Sequence, residues 1–551
     1  MFSSMFTSWD TELDAILHFA NRLSQEPMWH AAPVVALALA ATAACAPPVT
    51  TARPAAARAV ATAELTPAVR DSLRTAIRRL VDSAGLPSMT VGISVGGRTV
   101  WAEGFGYADL ARRVPVTPDT RYSLASISKP ITATAVMRLV EQGRIALDAP
   151  ANRYLRAGRI TGVAGSNDSA TVGRLLSHTA GIPLHYRFYY ADGTGRIAEP
   201  DVAGAIDRYG VVMFPPGTVY TYSNLGYGIL GAIVGAASGT SYEDYMRDHV
   251  FAPLGMTRTT VSTGAGLENS AVRYDSDRRP VPFYDFDHRA ASAVYSTAND
   301  LLRFAEFHLG TRRDVAAGFL SAASVRRMQE PATPPTATPG AYGLGWFVDD
   351  DNGVRRVRHS GGMPGVSTVL VIYPDAGVAV VALANQASPL PGRLAADLAA
   401  AVMPDYAAER TRRVATLAGA RPTPRAGPPA SFAAPVEARG TWRGTVRLHD
   451  RTVPMVLWVG ESDVRARFGD APALWTLVND ASFANGLLGG RFVGTVPTDE
   501  ARRAPHIVAM LLRLHEGTLR GWLAAQVTVP TNDFSLSFYA DLVKDPAGGV
   551  P

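Results

Sequence analysis

Apolar positions recur along this 551-residue chain in two registers, one helical and one alternating. Between Pro67 and Ala84 they fall at Leu73, Ile77, Leu80 and Val81, which line one face of a helix. Met89–Ser94 and Arg98–Ala102 then alternate as two strands joined at Gly96-Gly97, a two-residue hairpin turn. The stretch Ile131–Gln142 is helical and stops at Gly143, a natural C-cap. Mixed helix and loop follow to about residue 340, and strand-like runs return at Gly345–Val348, Val366–Tyr373 and Val378–Ala384. Residues 407–435, rich in Arg, Pro and Ala, read as linker. Beyond them lie short alternating runs: Thr441–Leu448, Pro454–Val459, Arg491–Thr495, Ile507–Leu514, Leu519–Leu523 and Phe534–Tyr539. Their polar or glycine-bearing turns predict a separate all-β barrel or sandwich. No internal repeat of fixed period is evident.

The N-terminus changes the picture of where the chain works. The apolar run Ala31–Ala44 is too short to span a bilayer and has the size of a signal-peptide core. It ends at Cys45, the single cysteine, and Thr42-Ala43-Ala44-Cys45 resembles a bacterial lipoprotein cleavage site. Cys45 is therefore the lipidation candidate, with a plain secretory signal as the alternative. Residues 1–27 read as an extension, with Met28 as another start. The expected division is 1–45 export segment, 46–64 tether, 65–395 first domain, 396–435 linker region and 436–551 C-terminal β-domain. The protein is expected to be exported to the periplasm, with membrane attachment through a lipid anchor if Cys45 is acylated.

Composition excludes more than it suggests. The 53 basic and 48 acidic residues leave a net charge of +5, with no dense basic stripe, so nucleic acid is not an expected partner. One cysteine excludes a disulfide framework, and the 11 histidines include no His-Glu-x-x-His, so no metal site is expected. Lysine is nearly absent: only Lys129 and Lys544 occur, and every other basic residue is arginine. A lysine kept under that bias suggests work that arginine, which does not deprotonate in proteins, cannot do.

Lys129 follows Ser126 by three residues in Ser126-Ile127-Ser128-Lys129. A helix starting here puts both side chains on one face, with Pro130 tolerated in its first turn. The serine then sits at a positive helix end, its own N–H free to meet an oxyanion. A neutral amine beside it is what a weak hydroxyl nucleophile needs. Alone, such a spacing is an ordinary polar helix start. A second element is Tyr222-Ser223-Asn224, the one Tyr-x-Asn among 19 tyrosines, where Tyr222 can relay a proton and Asn224 can hold the lysine and a substrate amide. A third is His359-Ser360-Gly361-Gly362, before the strand at Val366, whose small residues let a substrate lie along the strand, with the N–H of Gly362 as a second oxyanion donor.

Together these phrases resemble the serine β-lactamase and penicillin-binding-protein superfamily, closest to its class C β-lactamase and esterase branch. The likeness covers roughly residues 65–390 and includes Arg121–Ser126, Leu175–Gly181, Tyr222–Gly228, Tyr295–Thr297 and Gly343–Trp346. It implies an α+β, β-lactamase/transpeptidase-like fold: a five-stranded antiparallel sheet flanked by helices beside a helical lobe, here followed by a lipocalin-like all-β domain. It also implies an acyl-enzyme mechanism with no metal or other cofactor. Ser126 becomes the nucleophile, Lys129 the base or proton acceptor, and Tyr222 the general base. His359 stands where many relatives carry the Lys of Lys-Thr-Gly, which points away from penicillins toward esters, amides and D-amino-acid peptides. The substrate is expected to be a small molecule or peptide, peptidoglycan-derived ones included. His178, in Leu-Leu-Ser-His-Thr, is expected to buttress a loop.

Three other readings compete. A β-lactamase or D-alanyl-D-alanine carboxypeptidase would share the machinery, and an inactive peptidoglycan-binding lipoprotein would share the fold. Gly92-Ile93-Ser94-Val95-Gly96 matches the nucleophile-elbow pattern, but that elbow needs a helix after its turn, and here a second strand follows.

Overall fold

The computed structural model describes residues 60–546, apart from 313–314, 316–317, 334–340, 420–431, 470–473, 499–505 and 528–532. Cys45, the export segment and most of the tether lie outside the described residues. Among the described residues no helix is long and apolar enough to cross a membrane.

The first helix, Pro67–Ser83, starts where Thr66 accepts the Val69 N–H and Pro67 fills the first position. Ile77 and Val81 are buried and Leu73 packs beside them, whereas Leu80, expected on the same face, sits at the margin of the stripe and is 37% exposed. The strands Ser88–Val95 and Arg98–Asp109 form the expected hairpin. Both turn glycines have positive φ, +60° at Gly96 and +82° at Gly97, as a tight two-residue turn requires.

Five long antiparallel strands make the central sheet, in the spatial order Val354–Met363, Val366–Tyr373, Val378–Ala384, Ser88–Val95, Arg98–Asp109. Phe347–Asp351 and Ala341–Tyr342 extend one edge and Val114–Pro115 the other, giving eight strands. The inner strands are mainly apolar and almost wholly buried because both faces are covered. Leu370, Ile372, Val381 and Leu383 pack with Leu301, Leu302 and Phe304 of the helix Ala298–His308. Their neighbours Val369, Val371, Val380 and Ala382 pack with Ile77, Val81, Leu394 and Leu398. A period of two thus splits each strand between two helical layers. Ser94 lies inside this sandwich, donating to Glu306 at 2.7 Å, so it has no access to a substrate.

The first domain's core continues past residue 395. The helices Leu390–Ala400 and Pro404–Gly419 occupy the expected linker region, and Leu398, Ala399, Val402, Met403 and Tyr406 are buried. Alanine-rich sequence reads as linker, yet small side chains also let a helix lie close on a sheet.

The C-terminal region is a nine-stranded, nearly closed barrel, and two strands of the first domain bring the continuous sheet to eleven. Its edge strands Thr476–Leu477 and Asn479–Ala484 are separated in sequence by Val478 alone, so the two ends of the sheet meet. One strand of the first domain, Tyr186–Tyr190, joins both parts. It pairs with Phe534–Asp545 through Arg187 and Tyr186, and with Tyr284–Phe286 through Phe188–Tyr190. No alternation in the sequence marks this aromatic strand.

Candidate active site

Ser126 sits in a short 3-10 turn, Ala125–Ile127, that runs directly into the helix Ser128–Glu141. Local hydrogen bonds fix that entry. Ser128 Oγ donates to the Ala125 carbonyl at 2.6 Å and accepts the Val294 N–H at 3.1 Å, tying the turn to the neighbouring strand. Ala125, just before the serine, has φ +48°, a left-handed conformation that a non-glycine residue rarely adopts. Strain of this kind persists only where surrounding structure enforces it, and here it lies beside the nucleophile candidate. Ser126 is half-buried and reaches solvent.

Lys129 is completely buried in the first turn of that helix. Its Nζ lies 3.0 Å from Ser126 Oγ, 2.7 Å from Asn224 Oδ1 and 3.2 Å from the Ala291 carbonyl oxygen. Among the described residues no carboxylate forms an ion pair with it, and burial holds the amine well below its usual pKa. A neutral amine has two hydrogens and one lone pair. Asn224 and Ala291 take the two hydrogens, which leaves the lone pair facing the Ser126 hydroxyl.

Asn224 opens the helix Asn224–Ser238, whose N-cap Ser223 accepts the Gly226 N–H at 2.9 Å. The same cap holds Tyr222. Its ring lies 4.7 Å from Lys129 Nζ, and its hydroxyl is hydrogen-bonded with Ser126, while burial raises the phenol above its ordinary pKa. Tyr222 is therefore a phenol at neutral pH, able to relay a proton but not to begin as a free base.

His178 is the buttress of this loop. It is buried with φ +59°, its carbonyl accepts the Thr221 N–H at 2.8 Å, and its Nδ1 accepts the Ser223 N–H at 3.1 Å. Its ring packs at a tilt of 38° against Tyr222, 4.4 Å between centroids. Burial holds the imidazole well below its usual pKa, so it is neutral.

The third element forms the facing strand. Gly361 is buried and Gly362 is exposed beside it. A Cβ on Gly361 would overlap the Leu124 carbonyl oxygen and crowd Thr368 Oγ1 and the Ala125 Cβ. Only glycine lets the strand approach the serine turn so closely. His359 departs from the expectation. It is 1% exposed, its Nδ1–H donates to the Ser360 carbonyl at 2.8 Å, and its Nε2 accepts from the Tyr342 hydroxyl at 3.2 Å. Burial lowers its pKa to about 3. Both ring nitrogens are thus engaged by protein, and the imidazole offers a substrate neither a cation nor a spare donor. The position where many relatives carry a lysine is thus a neutral wall residue, not a group that contacts substrate.

The structure therefore brings Ser126, Lys129, Tyr222, Asn224 and the Gly361-Gly362 strand together. The Ala291 carbonyl and Tyr342 complete the site and were not legible beforehand, because a backbone acceptor leaves no sequence signal and the Tyr342 hydroxyl reaches His359 from a separate strand. Among the described residues no group of three or more His, Cys, Asp or Glu is arranged to hold a metal.

Against known proteins, the sequence profile of the Beta-lactamase family matches residues 73–403. The chain is 30% identical over 326 residues to an unguisins hydrolase of Aspergillus campestris, a match covering 56% of this chain and 60% of that protein. It is 29% identical over 318 residues to penicillin-binding protein 4* of Bacillus subtilis, covering 54% of this chain and 68% of that one. Among solved structures it resembles the octameric penicillin-binding protein homologue from Pyrococcus abyssi, with a TM-score of 0.51 and 21% identity over 86% of this chain and 100% of that chain. At that identity the likeness speaks for the fold alone. The family match spans more than half of the sequence, and its residues enclose every element of the site just described: this chain belongs to the β-lactamase family, within the serine β-lactamase and penicillin-binding-protein superfamily.

Proposed function

We propose that the chain is an exported serine hydrolase that cleaves neutral esters or amides, D-amino-acid peptides included, through an acyl-enzyme on Ser126. The observation that carries this reading is the fully buried Lys129 amine 3.0 Å from Ser126 Oγ, with no carboxylate paired to it among the described residues and its pKa lowered by burial. As Oγ attacks the carbonyl carbon, its proton passes to Lys129, and the oxyanion is held by the N–H groups of Ser126 and Gly362. The lysine's proton then travels by way of Tyr222 to the leaving group as the carbonyl–heteroatom bond breaks. Water repeats the sequence on the acyl-enzyme and restores the serine. Relatives named as a hydrolase and as a penicillin-binding protein support the same class of chemistry.

The preference for neutral substrates rests on position 359. A lysine there would offer a permanent cation to a substrate carboxylate, whereas the buried neutral His359 offers none. The test is intact-protein mass after incubation with a p-nitrophenyl ester, a D-amino-acid amide and a fluorescent penicillin. An adduct on wild type, absent from Ser126→Ala, supports the acyl-enzyme; no adduct and no turnover with any of the three sinks it. Faster turnover of the penicillin than of the ester would reassign the protein as a β-lactamase or carboxypeptidase. Export is tested separately: in a bacterial host the protein should fractionate with membranes, and Cys45→Ser should release it.

A further inference from the structure

Beside the hairpin that follows the Gly361-Gly362 strand, the fold leaves a cavity of about 660 Å³. Leu110, Ala271, Val281, Pro282 and Tyr295 give it a mainly apolar wall, and Arg273 lines it among them. Arg273 is only 5% exposed. Its guanidinium carbon lies 3.7 Å from the centroid of the Tyr284 ring, so one face of the group is covered. Its edge is not: Nη2 is buried with no hydrogen-bond partner among the described residues.

The nearby carboxylates do not pair with Arg273. Asp109, in the same wall, pairs with Arg112 at 2.7 Å, and Asp533 accepts the Tyr190 hydroxyl through Oδ2, its Oδ1 buried without a hydrogen-bond partner among the described residues and in no ion pair with Arg273. No ion pair among the described residues includes Arg273. A guanidinium cannot escape burial by losing its proton, and the in-plane hydrogens of Nη2 are left unused. A buried cation without a counter-ion is unfavourable unless a ligand completes it.

We propose that this cavity binds a carboxylate-bearing organic molecule with an apolar or aromatic body, its carboxylate held by the free edge of Arg273. The site is distinct from the nucleophile, yet it touches the strand that serves it. Gly365 packs on Arg273, and the Tyr284 hydroxyl donates to the Pro364 carbonyl at 2.9 Å, both within the turn after Met363.

The experiment uses full-length Ser126→Ala protein, which removes turnover, and calorimetric titration with 3-phenylpropionate and with 3-phenylpropionamide. The acid should bind about tenfold or more tighter than the amide, since charge-assisted hydrogen bonds distinguish the pair. That preference should persist from pH 6 to pH 9 and vanish in Ser126→Ala/Arg273→Met. Equal binding of acid and amide overturns the proposal, as does no heat from the acid at millimolar concentration. Retention of the preference in the Arg273→Met protein also overturns it, because the acid would then sit elsewhere. Should that variant not fold, Ala271→Leu narrows the cavity and leaves Arg273 in place. It should weaken the acid by a similar factor, and undiminished binding there refutes the site.

Discussion

On the helical wall of the cleft Lys129 is fully buried and neutral, and on the strand wall His359 is buried and neutral as well. Burial disfavours the charged form of both groups, so desolvation alone does not separate them. What separates them is the number of partners each neutral group finds. His359 has one donor and one acceptor nitrogen, and Ser360 and Tyr342 satisfy both. Lys129 has two hydrogens, two acceptors for them, and a third direction left over that meets a serine hydroxyl open to solvent. A buried titratable group becomes reactive where its surroundings stop one hydrogen bond short and a nucleophile fills the place. Where they do not stop short, the same burial makes a wall.

The largest effect expected from this contrast is on Lys129. Lys129→Arg keeps a cation but cannot supply a lone pair, and kcat/KM should fall about a thousandfold or more, close to the loss in Ser126→Ala. The double variant should be no worse than either single one, since the two act as a unit. Retention of a tenth of wild-type turnover in Lys129→Arg would end the assignment. Gly361→Ala comes next. The added methyl collides with Leu124, the strand must move off the serine turn, and misplaced oxyanion donors should lower kcat about a hundredfold with KM less affected. An unchanged kcat would mean that this glycine does not set the strand's distance from Ser126.

The motifs that carry chemistry were legible because scarcity isolated them: two lysines in the whole chain made Ser-x-x-Lys stand out. The central sheet was legible in part, since Val366–Tyr373 and Val378–Ala384 are runs dominated by β-branched and apolar residues and bounded by turns. The reach of the first domain to Tyr406 was missed because alanine carries too little hydrophobic contrast to announce burial. The Tyr186–Tyr190 strand was missed because its residues are all half-buried and show no alternation. The state of His359 was missed for a different reason. Sequence names the residue at a motif position but not its hydrogen-bond partners, and Tyr342 comes from a separate strand.

A smaller effect is expected at His178, which touches Tyr222 and holds the loop that carries it. His178→Ala removes both the ring platform and the acceptor for Ser223 N–H, and kcat should drop about tenfold, within the range of a lost buried hydrogen bond. His178→Asn, which can still accept that N–H, should recover part of the loss. Equal damage in both variants would assign the effect to general destabilisation rather than to positioning of Tyr222.

The smallest effect on turnover, and the sharpest test of the contrast, is at His359. If the imidazole is a satisfied wall, His359→Gln should change kcat/KM on a neutral ester by less than about threefold, because glutamine can also donate one hydrogen bond and accept another. Its consequence should appear in stability instead. The folded pKa of His359 is about 3, below the ordinary value of about 6.5 expected when unfolded. Between those values the unfolded chain binds a proton that the folded one refuses, so stability is lost as pH falls below about 6.5. The slope from this one group is about 1.4 kcal/mol per pH unit. Denaturant titrations at pH 7 and pH 4.5 should therefore show His359→Gln losing about 2–3 kcal/mol less than wild type over that interval. A kcat/KM profile that titrates between pH 5.5 and 8.5 in wild type and flattens in His359→Gln would show the opposite. The imidazole would then change charge at the site, and the two walls of the cleft would differ less than their hydrogen bonds imply.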